Sequence, residues 1–169
     1  MPFCYTLQSA TISTSAPYAT SGTPATEIDA FFLKSGSGAK SSIYNLRGQG
    51  RGAGLTALSG ISLNLKNWTT ASTGGTAMTP RPNSLAGAVA AQATAAAGAA
   101  AGVNAVTAGS GGGTYRGGFG MGASGPGGWV AANPDAAIEQ AAGSSGSVDL
   151  YSLSGTASLS YDFWVEFQE

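Results

Sequence analysis

From Ala157 to Phe167 the chain alternates without a break. Leu159, Tyr161, Phe163, Val165 and Phe167 take one side, and Ser158, Ser160, Asp162, Trp164 and Glu166 take the other. A side-chain period of two is that of a β-strand with one face on a core. The rest of the chain repeats the signal in shorter pieces. Phe3 to Ile12 places Phe3, Tyr5 and Leu7 on one face, and Thr26 to Lys34 is rich in apolar residues. Ser42 to Arg47 and Ile61 to Trp68 follow, the latter alternating Ile61, Leu63 and Leu65, with a short strand around Thr114–Arg116 and another from Ser147 to Leu153. Between them lie turn-forming stretches: Pro17 to Pro24, Ser35-Gly36-Ser37-Gly38, Gly48 to Gly60 and Ser154-Gly155-Thr156. Six or more short strands joined this way predict an all-β fold, an antiparallel β-sandwich, and the long connections favour jelly-roll or Greek-key wiring.

One short helix is predicted, over Asn133 to Gly143. Asn133 suits the cap, Pro134 the first helical position, Asp135 the positive end, and Gly143 the stop. Leu85 to Ala108 is alanine-rich but broken by Gly87, Gly98 and Gly102, and it lacks a stripe of large apolar side chains. It reads as mostly loop and fails as a membrane span. The expected organisation is a single domain, 1–169, with a long Ala/Gly-rich loop region at about 69–128. Cys4, the one cysteine, has no partner for an intrachain bridge and reads as a small buried apolar residue. The N-terminal residues lack the basic and apolar regions of a signal peptide, so Asn67-Trp68-Thr69 reads as a chance glycosylation match.

Charge is scarce and segregated. Only 9% of residues are charged, well below the usual quarter. All seven basic residues (Lys34, Lys40, Arg47, Arg51, Lys66, Arg81 and Arg116) fall between Asp29 and Asp135, an interval without an acid. Such a pattern favours head-to-tail contact if folding places the two groups apart, and internal neutralisation if it places them side by side. A surface this poor in charge suits a protein covered by partners.

Catalytic chemistry finds little to build on. The chain has no histidine, which removes the commonest general base and metal ligand. Gly122-Ala123-Ser124-Gly125-Pro126 approximates a nucleophile elbow without its second glycine or a base. Gly118 to Ala123 fits a dinucleotide-binding spacing, but Ser124-Gly125-Pro126-Gly127-Gly128 stands where the helix should start, so it reads as a glycine-rich loop. Gly36 to Ser41 is too short for a phosphate-binding loop. Asp162 and Glu166 stand about 13 Å apart along one strand, too far for a glycosidase pair. The Arg-Gly segments at 47–52 and 116–118 carry too little charge for nucleic-acid binding. The expectations are therefore no enzyme activity and no metal, nucleotide or organic cofactor. Trp68, Trp129 and Trp164 could stack sugars, which leaves a carbohydrate-binding β-sandwich module as the alternative.

Arg47 to Gly54, Asn67 to Pro82, Gly125 to Val130 and Gly155 to Phe163 resemble stretches of small structural proteins of tailed phages, most closely capsid decoration, or cement, proteins. The resemblance implies a β-sandwich, homo-oligomeric and often trimeric, that binds the major capsid protein on the outside of the virion head after synthesis in the host cytoplasm. Neither nucleic acid nor membrane is an expected partner. The candidate interface residues are Arg47, Arg51, Trp68, Arg81, Arg116 and Trp129, because arginine forks and large aromatics anchor interfaces. For the four arginines an intradomain role, pairing with Asp149, Asp162 or Glu166, competes with this.

Overall fold

The computed structural model describes residues 3–8, 28–51, 60–84, 89–97, 106–107, 109–111, 114–122, 127–153 and 160–169. In chain order its strands are β1 (Cys4–Gln8), β2 (Ile28–Lys34), β3 (Ser41–Arg51), β4 (Gly60–Trp68), β5 (Thr73–Gly74), β6 (Thr76–Met78) and β7 (Arg81–Pro82). They continue with β8 (Thr94–Ala97), β9 (Val106–Thr107), β10 (Thr114–Gly122), β11 (Gly127–Val130), β12 (Ile138–Gln140), β13 (Ser147–Leu153) and β14 (Ser160–Gln168).

Two antiparallel sheets carry the fold. The first runs β11-β3-β14-β1-β7, with β12 beside β11 on the same edge of β3; the second runs β10-β4-β13-β2-β8-β6. The long strands pair in a nested series, β1 with β14, β2 with β13, β3 with β11 and β4 with β10. Within that series the chain visits the first sheet, the second, the first and the second on the way in, and retraces them on the way out. This is the eight-stranded jelly roll, one of the two wirings the sequence favoured.

The core forms where the two inner faces meet. Tyr5, Leu7, Phe163, Val165 and Phe167 come from the first sheet, Phe31, Leu33, Leu65 and Val148 from the second, and all are nearly inaccessible. The Phe31 and Phe163 rings meet edge to face across the sandwich, 5.4 Å between centroids, and Tyr5 stacks on Phe167. β14 sits centrally, between β3 and β1, as its strict alternation demands. In β3 the alternation slips. Glu166 opposes Asn45 and Phe167 opposes Ile43, so Tyr44 is an extra, bulged residue. The bulge lets Ile43 and Leu46, three apart, both face the core.

Two local expectations are corrected. Asn133 does cap, its Oδ1 accepting from Ala136 N at 3.0 Å, but only a single 3-10 turn (Pro134–Ala136) forms before the chain becomes β12. The segment's one large apolar residue, Ile138, is buried opposite Ile43. Gln140 is buried too, its Oε1 accepting from Ser35 N at 2.7 Å, so period two displaces the helix. Among the described residues there is no α-helix. The glycine-rich stretch Gly118–Gly122, expected as loop, is the second half of β10 and pairs with Gly60–Asn64 of β4. The alanine-rich region contributes β8, which pairs with β2 through Phe31–Lys34, and β9. Residues 89–93 lie outside any strand, and 85–88, 98–105 and 108 lie outside the described residues.

Candidate subunit-contact surface

Every inward residue of β14 has an outward neighbour, and those neighbours organise the outer face of the first sheet. Register sets one row as Val130 (β11), Asn45 (β3), Glu166 (β14), Thr6 (β1) and Arg81 (β7). At the usual strand spacing this row spans about 19 Å. The next row runs Gly128, Arg47 and Trp164, ending at Gln8. Val130 is 61% exposed, Arg47 and Arg81 are exposed, and Trp164 is half-buried.

Hydrogen bonds fix the centre of this face. Asn45, itself buried, donates from Nδ2 to Glu166 Oε2 at 2.6 Å and accepts from Arg47 Nε at 3.3 Å on Oδ1. One amide thus couples a guanidinium to a carboxylate and holds both beside the Trp164 position. The Arg47 stem lies against Gly128, where a Cβ would come within 3.4 Å of its Cγ. The remaining guanidinium donors of Arg47 make no hydrogen bond among the described residues and face outward. Tyr44, on the bulge, has its hydroxyl pKa pushed up to about 12, first by burial and then by Cys4 and Glu166.

A cleft of about 490 Å³ borders this face at the β12 edge. Tyr44, Val130 and Ala137 line it together with Lys40, Asp135 and Glu139. Lys40 Nζ donates to Glu139 Oε1 at 2.5 Å, and that contact holds the Glu139 carboxyl below the usual carboxylate range.

Of the six residues singled out from sequence, Arg47 and Arg81 share the outer face of the first sheet. Trp68 and Arg116 come together elsewhere, lining a second, polar cleft of about 420 Å³ with Asn67, Thr69, Ser144 and Ser145. There the Trp68 ring is covered by Lys66 Nζ, 4.0 Å from its centroid, and Gly109 lies against its Cβ and Cγ. Trp129 opposes Leu46 and packs, partly buried, against the core. Arg51 ends β3 opposite Ser160, and its side chain lies outside the described set. Sequence reading missed Trp164, Val130 and Asn45 as members of the face. The outward phase of Trp164 was legible; the bulge that turns Asn45 and Arg47 outward was not. Of the intradomain acids weighed for the arginines, Glu166 shares Asn45 as a hydrogen-bond partner with Arg47 and does not pair with it directly.

The three tryptophans do not form one platform: Trp68 is on the second sheet, Trp129 turns to the core, and Trp164 is on the outer face of the first. No family model matches the chain, and comparison with curated proteins and with solved structures finds no match.

Proposed function

We propose that this chain is a non-enzymatic structural protein that decorates and stabilises a tailed-phage capsid, using the outer face of the first sheet as its contact with the major capsid protein. The observation that carries the reading is the composition and order of that face. Its centre combines the Trp164 indole, the Arg47 guanidinium and the bare Val130 around the hydrogen-bonded Asn45 and Glu166. Tryptophan and arginine supply most of the energy in protein interfaces, especially where the surrounding groups are already held in place. The jelly-roll architecture, recurrent in capsid and lectin domains, and the low charge of the chain support the same reading. On it, the protein works as a homo-oligomer, trimeric if the sequence resemblance holds, on the virion exterior.

The test is binding of purified protein to emptied capsid shells, measured by co-sedimentation. Wild type should saturate the shells, and Trp164→Ala combined with Arg47→Ala should weaken binding at least a hundredfold while keeping a β-rich circular dichroism spectrum. Unchanged binding by that variant would remove the face from the account. Glycan-array hits abolished by Trp164→Ala would favour the carbohydrate-binding alternative.

A further inference from the structure

Folding brings part of the segregated charge together, since Lys40 pairs with Glu139, and leaves Arg81 and Asp135 apart in the first sheet. β7, with Arg81, is one edge of that sheet. The opposite edge is formed by β11 and β12, and here the 3-10 turn and β12 present Asp135 and Glu139. Three strands, β3, β14 and β1, separate the two edges. Arg81 therefore stands at one edge of the sheet and Asp135, beside the Lys40–Glu139 pair, at the other.

We propose that the acidic cleft beside β12 receives the Arg81 edge of a second copy of this chain, so that subunits join head to tail and close into a ring. This rests on the reading of the protein as a subunit of a symmetric assembly, and it leaves the Trp164 and Arg47 part of the outer face free for the shell.

Four observations select this occupant. Arg81 is exposed and Asp135 is exposed, and neither has an ion-pair partner among the described residues. The cleft has an apolar floor of Tyr44 and Ala137, on which the stem of an arginine can lie while its fork reaches Asp135 beside the Lys40–Glu139 pair. Neither edge suits sheet-to-sheet continuation. β7 is two residues long and includes Pro82, which lacks an N–H, and β12 has three residues. Contact between these edges must therefore be made by side chains, which is what complementary charge provides. Finally, a surface that meets a different surface on its neighbour is heterologous, and heterologous contacts make rings when the rotation closes.

The experiment is a charge swap read by sedimentation velocity at low and high salt. Wild type should sediment as a closed oligomer at tens of micromolar and dissociate as salt is raised. Arg81→Glu alone and Asp135→Arg alone should each run as monomers with an unchanged β-rich spectrum. The double variant, Arg81→Glu with Asp135→Arg, should recover the oligomer. A monomeric wild type, single variants that keep the wild-type mass, or a double variant that stays monomeric would overturn the proposal. If Asp135→Arg kept the oligomer but lost shell binding, the cleft would belong to the shell protein instead. The shell-binding assay keeps the two readings apart: a monomer that still binds shells loses only the ring, whereas an oligomer that binds none loses the decorating role.

Discussion

At the scale of single residues, the least replaceable polar group is Asp149. It is fully buried in β13, and it accepts hydrogen bonds from Ser72 Oγ and Ser147 Oγ. Ser72 in turn accepts from Gly109 N at 2.7 Å and donates its own N–H to Ser147 Oγ at 3.1 Å. One carboxylate thus ties the loop after β4 and the chain after β9 to the second sheet. Asp149→Ala leaves two buried hydroxyls without their acceptor and should cost about 3 kcal/mol or more, read as a lower urea midpoint. Asp149→Asn, which keeps an acceptor oxygen, should cost less. Tyr44 makes a different prediction. Its folded pKa, about 12, lies above its ordinary 10, so the neutral phenol is the form the fold prefers. Its contribution is fully present below pH 10 and is lost as pH rises from 10 towards 12, because the unfolded chain ionises first. Urea midpoints measured across that window should fall for wild type and fall less steeply for Tyr44→Phe. Tyr5, also raised, chiefly by burial, adds to the residual slope.

At the scale of elements, legibility followed the size of the side chains. β14 was readable because Phe163, Val165 and Phe167 alternate with polar and aromatic neighbours, and no other period accommodates them. β10 was hidden because four of its nine residues are glycine, which gives no period to read. What makes it a strand is its register with β4, a contact from outside the segment. Asn133 to Gly143 shows the opposite failure. Its caps were genuine local signals, yet they specify only where a turn begins, whereas Ile138 and Gln140 decide its continuation by burying opposite β3 and Ser35. The bulge at Tyr44 left a trace in sequence, since Ile43 and Leu46 are three apart in a strand, but only the register with β14 identifies it. Close packing at element ends gives the third prediction. Gly146 leads into β13 and lies so near the end of β4 that a Cβ would stand 2.0 Å from the Trp68 carbonyl oxygen. Gly146→Ala should destabilise by about 1–3 kcal/mol through forced backbone movement, visible as a lowered thermal midpoint.

At the scale of the whole molecule, the nested pairing of first strand with last explains why the candidate surface was only partly visible beforehand. Arg47 and Arg81 were identified as anchors by residue type, but their shared face depends on β14 and β1 lying between β3 and β7. Trp129 is a candidate by residue type alone, and its phase opposite Leu46 packs it, partly buried, against the core. The same topology separates an outer face carrying Trp164 and Arg47 from two edges that carry Arg81 and Asp135. The most direct measurement is an electron cryomicroscopy map of purified particles carrying this protein. The account predicts copies on the exterior of the head, the outer face of the first sheet against the shell and Trp164, Arg47 and Val130 covered. Copies whose outer face points into solvent, or particles that lack the chain altogether, would contradict it.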